Sequence, residues 1–178
     1  QYSMLIARME PENNIELIWH GGEPLLAGTD FFKAVIELEK TIERKNGIRF
    51  SNRIQTNATL IDQEWIDIFK IGNFGVGVSL DGYEELHNQN RIFHNGKGSF
   101  HEVVEGIGKL QKAGISFSIL AVLTKKSLQK AKEIYDFFSD SGFERFDFLP
   151  SVEIDNDGNI IPGSLDKGDF ANFMGEIF

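Results

Sequence analysis

A chain of 178 residues, 41% hydrophobic and 25% charged, is long enough to bury a sizeable core and reads as one globular domain. Its 27 acidic against 18 basic residues leave a formal charge of −9, which argues against nucleic acid as a partner. No run approaches the roughly 18 apolar residues of a membrane span, and the absence of cysteine excludes disulfides and thiolate-held zinc or iron–sulfur sites within these residues.

No basic segment leads into an apolar run at the start, so no signal peptide is visible and a cytoplasmic location is expected. The chain is expected to open in a helix. Ile15 to His20 is a short apolar run stopped by Gly21-Gly22 and reads as a buried strand. From Thr29, residues Phe32, Val35, Ile36, Leu38 and Ile42 recur at helical spacing, with Thr29 or Asp30 as N-cap and Asn46-Gly47 as stop. Arg49 to Thr56 is the next strand, and a helix capped by Asp62 follows. Phe74 to Leu80 is strand-like and ends at the turn Asp81-Gly82. After a polar loop, Ser99 is expected to cap a helix that stops at Ala113-Gly114. Ile115 to Leu123 is a strand, Ser127 to Ser139 a helix, Phe146 to Val152 a strand and Asp169 to Phe178 a helix.

Strand and helix thus alternate about five times, which predicts parallel strands joined by crossover helices. Such folds collect ligands at the C-terminal ends of their strands, and four unusual segments fall there. Trp19-His20-Gly21-Gly22-Glu23-Pro24 offers backbone that a ligand can approach and a carboxylate suited to a cation, although the glycines equally suit a strand-to-helix turn. Gln55-Thr56-Asn57-Ala58-Thr59 sets polar side chains after an apolar strand, where a capping turn is the plainer reading. Ser79-Leu80-Asp81-Gly82, followed by His87, Asn90 and Arg91, pairs groups suited to a polyol with a cation suited to a carboxylate, or is a turn and a surface loop. Phe148-Leu149-Pro150-Ser151-Val152 can pack on a flat ring or in the core.

In this order the segments resemble the radical S-adenosylmethionine (SAM) enzymes, and within them the peptide-maturing branch with a C-terminal SPASM cluster domain, anaerobic sulfatase maturases among them. The likeness runs from about Ile15 to Val152. It implies an α/β fold, a partial TIM-like (β/α)6 barrel whose first strand is missing. It implies that Gly21, Gly22 and Glu23 hold the methionine ammonium, Ser79 the ribose and Arg91 the carboxylate, and that Val152 lines the adenine. Asn57 faces the cofactor and Gln55 the same cavity, while His20, Gln55 and Asp81 are candidate substrate contacts. Sulfatase maturases usually have glutamine at the place of His20 and glycine at that of Ala58, and Trp19-His20 is more similar to maturases of ribosomally made peptides.

In that family three thiolates of a Cys-x3-Cys-x2-Cys loop hold a [4Fe–4S] cluster. Its reduction cleaves SAM to a 5′-deoxyadenosyl radical, which abstracts hydrogen from a peptide or protein substrate. An external electron donor such as flavodoxin or ferredoxin supplies the electron. With no cysteine present, residues 1–178 are expected to be the central part of such a core, with the cluster loop and the C-terminal cluster domain outside them. No catalytic or metal-ligating residue is assigned within the chain. The alternatives are a cysteine-free relative serving as a peptide-binding or regulatory module, and an aldolase-type barrel, which would need a lysine at a strand end. Glu153-x-Asp155-x-Asp157-Gly158 begins like a calcium loop but has Ser164 at the closing position, so a turn is expected. The four histidines lack the spacing of a zinc pair.

Overall fold

The computed structural model describes residues 4–10, 14–152, 155–157, 159–161 and 164–177. Six strands, β1 (Met4–Glu10), β2 (Asn14–His20), β3 (Arg49–Thr56), β4 (Gly75–Ser79), β5 (Phe117–Leu123) and β6 (Phe146–Pro150), are interleaved with helices. These are α1 (Thr29–Asn46), α2 (Gln63–Ile71), the single turn α3 (Glu84–His87), α4 (Phe100–Lys112), α5 (Ala131–Asp140) and α6 (Lys167–Ile177). Among the described residues no helix is long and apolar enough to cross a membrane. The chain forms two compact units, the first of Gln1–Val78 with Glu102–Phe117 and the second of Ser79–His101 with Ser118–Phe178.

In the first unit β2, β3 and β4 run parallel, with Trp19 opposite Ile54 and Ile54 opposite Val76. Strict alternation puts Leu17, Trp19, Ile54, Val76 and Val78 on one buried face. Helices α1 and α2 cover that face with an aromatic cluster in which Phe32 lies 5.1 Å from Trp19 and 5.4 Å from Trp65. Each such side chain contributes about 1.5–3 kcal/mol by leaving water. The same alternation turns Ile18, His20, Arg53, Gln55, Gly75 and Gly77 to the opposite face, where Arg53 pairs with Glu16 at 2.7 Å. Between sheet and α1, Trp19 Nε1 donates to Asn52 Oδ1 (2.7 Å) and Asn52 Nδ2 to the buried Glu39 (3.0 Å). Burial raises the Glu39 carboxyl above its ordinary pKa.

In the second unit β5 and β6 run parallel from Ile119 opposite Phe146 to Leu123 opposite Pro150. Phe138 of α5 meets Phe146 at 5.2 Å, and Phe173 of α6 meets Phe148 at 5.1 Å. Strand and helix order therefore follows the sequence pattern from β2 onward.

The exceptions are local. The opening segment is a strand, not a helix: Met4–Glu10 pairs antiparallel with β2, from Met4 opposite His20 to Glu10 opposite Asn14. Seven residues are too few for periodicity to separate the two states, and the open edge of β2 supplies a ladder of backbone partners along the whole of β1. The cap of α1 is Gly28, not Thr29 or Asp30. Ser99 precedes α4, but Asn88 Oδ1 accepts the N–H of Phe100 there (3.1 Å), and the Ser99 hydroxyl has other work. At the calcium-like segment Glu153 and Gly158 lie outside the described residues. Asp155 Oδ1 accepts the N–H groups of Asp157 (2.9 Å) and Asn159 (2.8 Å), the pattern of an Asx turn.

Candidate functional site

In the first unit the end of β2 turns through Gly21 (φ 83°) and Gly22 (φ 55°), left-handed conformations that leave the backbone uncovered by side chains. Glu23 follows at the N-cap of a single 3-10 turn, Pro24–Ala27, and is buried. Its carboxylate gathers three donors: Leu25 N–H (3.1 Å), Thr56 Oγ1 (2.7 Å) and Asn57 N–H (2.7 Å). Glu23 thus latches the end of β2 to the end of β3. Thr56, which the sequence reading passed over, both donates to Glu23 and accepts the Ala58 N–H (3.0 Å). Its signal was a hydroxyl at the last residue of a strand, beside a buried carboxylate that the sequence does not reveal.

Asn57 folds its own loop, with Oδ1 accepting from both the N–H (3.1 Å) and the hydroxyl (2.8 Å) of Thr59. Ala58 is fully buried at φ 60°, a conformation that costs an alanine roughly 1 kcal/mol or more. The loop is pressed from above by α4: a β-carbon on Gly106 would lie 2.2 Å from the Ala58 carbonyl oxygen. Gln55 and His20 share the face opposite the aromatic core. The Gln55 amide lies across Gly77, where a β-carbon would meet Oε1 at 2.1 Å.

In the second unit Ser79 ends β4, and Asp81 begins the loop that follows. Asp81 is buried, and its carboxylate takes Arg91 side-on, Nε to Oδ2 at 2.6 Å and Nη2 to Oδ1 at 2.9 Å. Oδ1 also accepts the Val122 N–H of β5 (2.9 Å). Both Asp81 oxygens are therefore engaged inside the protein, where they support Arg91. The Arg91 guanidinium has five N–H donors, of which this pairing uses two. Three remain, two of them on the Nη1–Nη2 edge and unpaired among the described residues, and the side chain keeps 27% of its exposure. That edge has the geometry to receive a second carboxylate in a forked pair.

His87 is fully buried. Burial, with a smaller contribution from the Arg91 charge, lowers its pKa to about 4, against an opposing pull from Asp81. Val152 and Leu149 are half exposed, leaving apolar surface at the end of β6. The structure thus gathers Gly21, Gly22, Glu23 and Asn57 in the first unit, and Asp81, His87 and Arg91 in the second. Among the described residues no three histidine, aspartate or glutamate side chains are grouped to hold a metal ion.

Parallel strands joined by helices, with an uncovered glycine backbone and a latched carboxylate at strand ends of the first unit and a supported guanidinium in the second, define an α/β protein with polar groups at its strand ends. The chain belongs to the Radical SAM superfamily, whose sequence pattern matches residues 4–138. It is 36% identical over 170 residues to the cysteine-type anaerobic sulfatase-maturating enzyme of Clostridium novyi (strain NT), covering 95% of this chain and 45% of that protein. With the serine-type anaerobic sulfatase-maturating enzyme of Bacteroides thetaiotaomicron it shares 38% over 135 residues, 76% of this chain and 32% of that one. The solved structure of native anSMEcpe with bound AdoMet superposes with a TM-score of 0.82 at 30% identity, covering 95% of this chain and 46% of that chain. A second structure of anSMEcpe, with bound AdoMet and the Cp18Cys peptide, gives 0.81 at 30% identity, over 91% and 45%. The fold class is accordingly α/β of the partial TIM-like barrel type. The chain spans less than half the length of these relatives.

Proposed function

We propose that this chain is the SAM-binding core of a cytoplasmic radical peptide or protein maturase, with the iron–sulfur ligands supplied from outside residues 1–178. The observation that carries the reading is Arg91, held side-on by Asp81 with the two donors of its outer Nη1–Nη2 edge unspent among the described residues. A free amino acid or SAM presents the matching group, a carboxylate beside an ammonium.

In this reading Arg91 receives the carboxylate of SAM. The carbonyl groups of Gly21 and Gly22 accept from the ammonium, and Glu23 supplies the negative charge beside them. Ser79 bonds the ribose, Val152 packs on adenine, and Asn57 holds the loop at the cofactor's edge. His20 and Gln55, on one sheet face, are the candidate contacts to a peptide substrate. SAM supplies a hydrogen-abstracting adenosyl radical once a reduced [4Fe–4S] cluster is beside it. The chain contains no cysteine, so these residues offer that cluster no thiolate and no step is assigned to it here. An electron donor such as flavodoxin or ferredoxin belongs to the whole protein, and the charge of −9 speaks against nucleic acid. The peptide in the anSMEcpe structure with bound AdoMet and Cp18Cys supports a peptide as the substrate class.

Calorimetric titration with SAM tests the reading. Loss of a charge-assisted pair in Arg91→Ala should weaken binding by about 10- to 100-fold. Equal affinity in the variant and the parent would remove Arg91 from the site.

A further inference from the structure

Two buried polar side chains of the second unit, His87 and Ser99, make no hydrogen bond to the Arg91 guanidinium among the described residues, yet they are wired to both partners of the ion pair. The His87 Nδ1 accepts the Asp81 N–H (3.3 Å). An imidazole that accepts there and is neutral carries its proton on Nε2, so Nε2 donates to Ser99 Oγ (3.1 Å). Ser99 Oγ in turn donates to the Arg91 carbonyl (3.1 Å), which also accepts the Ser99 N–H (3.2 Å). Finally the Arg91 N–H returns to the His87 carbonyl (3.0 Å). The ring is therefore a strut between the backbone of residue 81 and, through one hydroxyl, the backbone of residue 91.

We propose that His87 and Ser99 are positioning residues for Arg91, fixing the two backbones so that Asp81 meets one edge of the guanidinium and the other edge faces the carboxylate of SAM. The proposal rests on the reading of Arg91 given above. Only an imidazole fits the strut: one ring must accept from an N–H on one side and donate to a hydroxyl on the other. The imidazolium has no lone pair for the Asp81 N–H, so protonation would leave that donor buried and unpaired. The charged groups whose fields reach the ring are Asp81 and Arg91, and burial keeps it neutral above a pH of about 4. A purely packing role would need no such directional chain, since the ring already meets Phe100 at 5.9 Å.

The test compares the chain with Ser99→Ala, which deletes one hydroxyl, and His87→Phe, which keeps a packed ring without nitrogens. Each is titrated with SAM and with 5′-methylthioadenosine, which retains adenine and ribose but has no carboxylate. One lost hydrogen bond in the strut should weaken SAM binding by roughly 5- to 10-fold while leaving methylthioadenosine within about 2-fold. In parallel the Arg91 Nε–H proton resonance, narrow in the parent because Asp81 holds it, should broaden or shift in both variants. SAM affinity unchanged in Ser99→Ala, or equal losses for both ligands, would overturn the proposal. If the parent binds no SAM, the functional reading falls by itself. The Arg91 resonance then decides the strut: a change in Ser99→Ala upholds it, and an unaltered line refutes it.

Discussion

The two units solve opposite electrostatic problems with different materials. In the first, the donors that hold the Glu23 carboxylate among the described residues are neutral, two backbone N–H groups and the Thr56 hydroxyl, so its charge is oriented without being cancelled. In the second, the Arg91 charge is balanced directly by Asp81, and what it offers is direction: two parallel N–H bonds on one planar edge. One unit contributes an uncompensated charge and the other a compensated but precisely shaped donor set.

The contrast can be broken most severely at Asp81. Asp81→Ala strips the buried Arg91 partner and the Val122 N–H acceptor together, and should cost about 3–5 kcal/mol in chemical denaturation. A loss near zero would mean that Arg91 does not depend on Asp81. Next comes Gly106→Ala, which drives a methyl into the Ala58 carbonyl and should cost about 1–3 kcal/mol by overpacking. In Glu23→Gln the amide can still accept from Thr56 and Leu25 but turns a donor toward the Asn57 N–H. About 1–3 kcal/mol of stability should disappear, read as a lower unfolding midpoint.

The pH profile separates the units further. His87 is depressed from 6.5 to about 4 in the folded chain, so its neutral form stabilises the fold fully above 6.5. Between 6.5 and 4 the unfolded chain takes up the proton first, and stability should fall as the pH drops through that window. The parent should show the slope and His87→Phe a shallower one; equal slopes would contradict a buried neutral His87. The smallest effect is expected at Ala58→Gly. Relief of the left-handed backbone should outweigh the loss of one methyl and raise stability by up to about 1 kcal/mol.

Much of this was legible in the sequence. In β2 the signal is a short apolar run stopped by two glycines, in β3 and β4 the alternation of Ile54 and Val76 with polar or glycine neighbours is a period-two signal, and the apolar faces of α1 and α2 are period-three-to-four signals. Both survive because burial enforces them. The strand-end segments at Gly21-Gly22-Glu23, Asn57 and Asp81 through Arg91 stand out for the same reason, polar groups where an apolar strand stops. What stayed hidden was pairing. Nothing local tells that Asp81 faces Arg91 rather than a ligand, or that Ser99 serves His87 and the Arg91 carbonyl instead of capping α4. These contacts join residues 8 to 12 positions apart through a loop whose path is set by the packed unit. The β1 strand was hidden because seven residues carry no decisive period, and only the free edge of β2 decides their state.

Backbone and arginine side-chain NMR of the chain during titration with SAM tests the proposed cofactor-binding residues of each unit in one experiment. The expected result is saturable shifts at Gly21, Gly22 and the N–H of Asn57 in the first unit, and at Ser79 and the Arg91 Nε–H in the second, all with one dissociation constant. Shifts confined to one unit, or none at either set of strand ends, would contradict the division of labour between the Glu23 latch and the Arg91 edge.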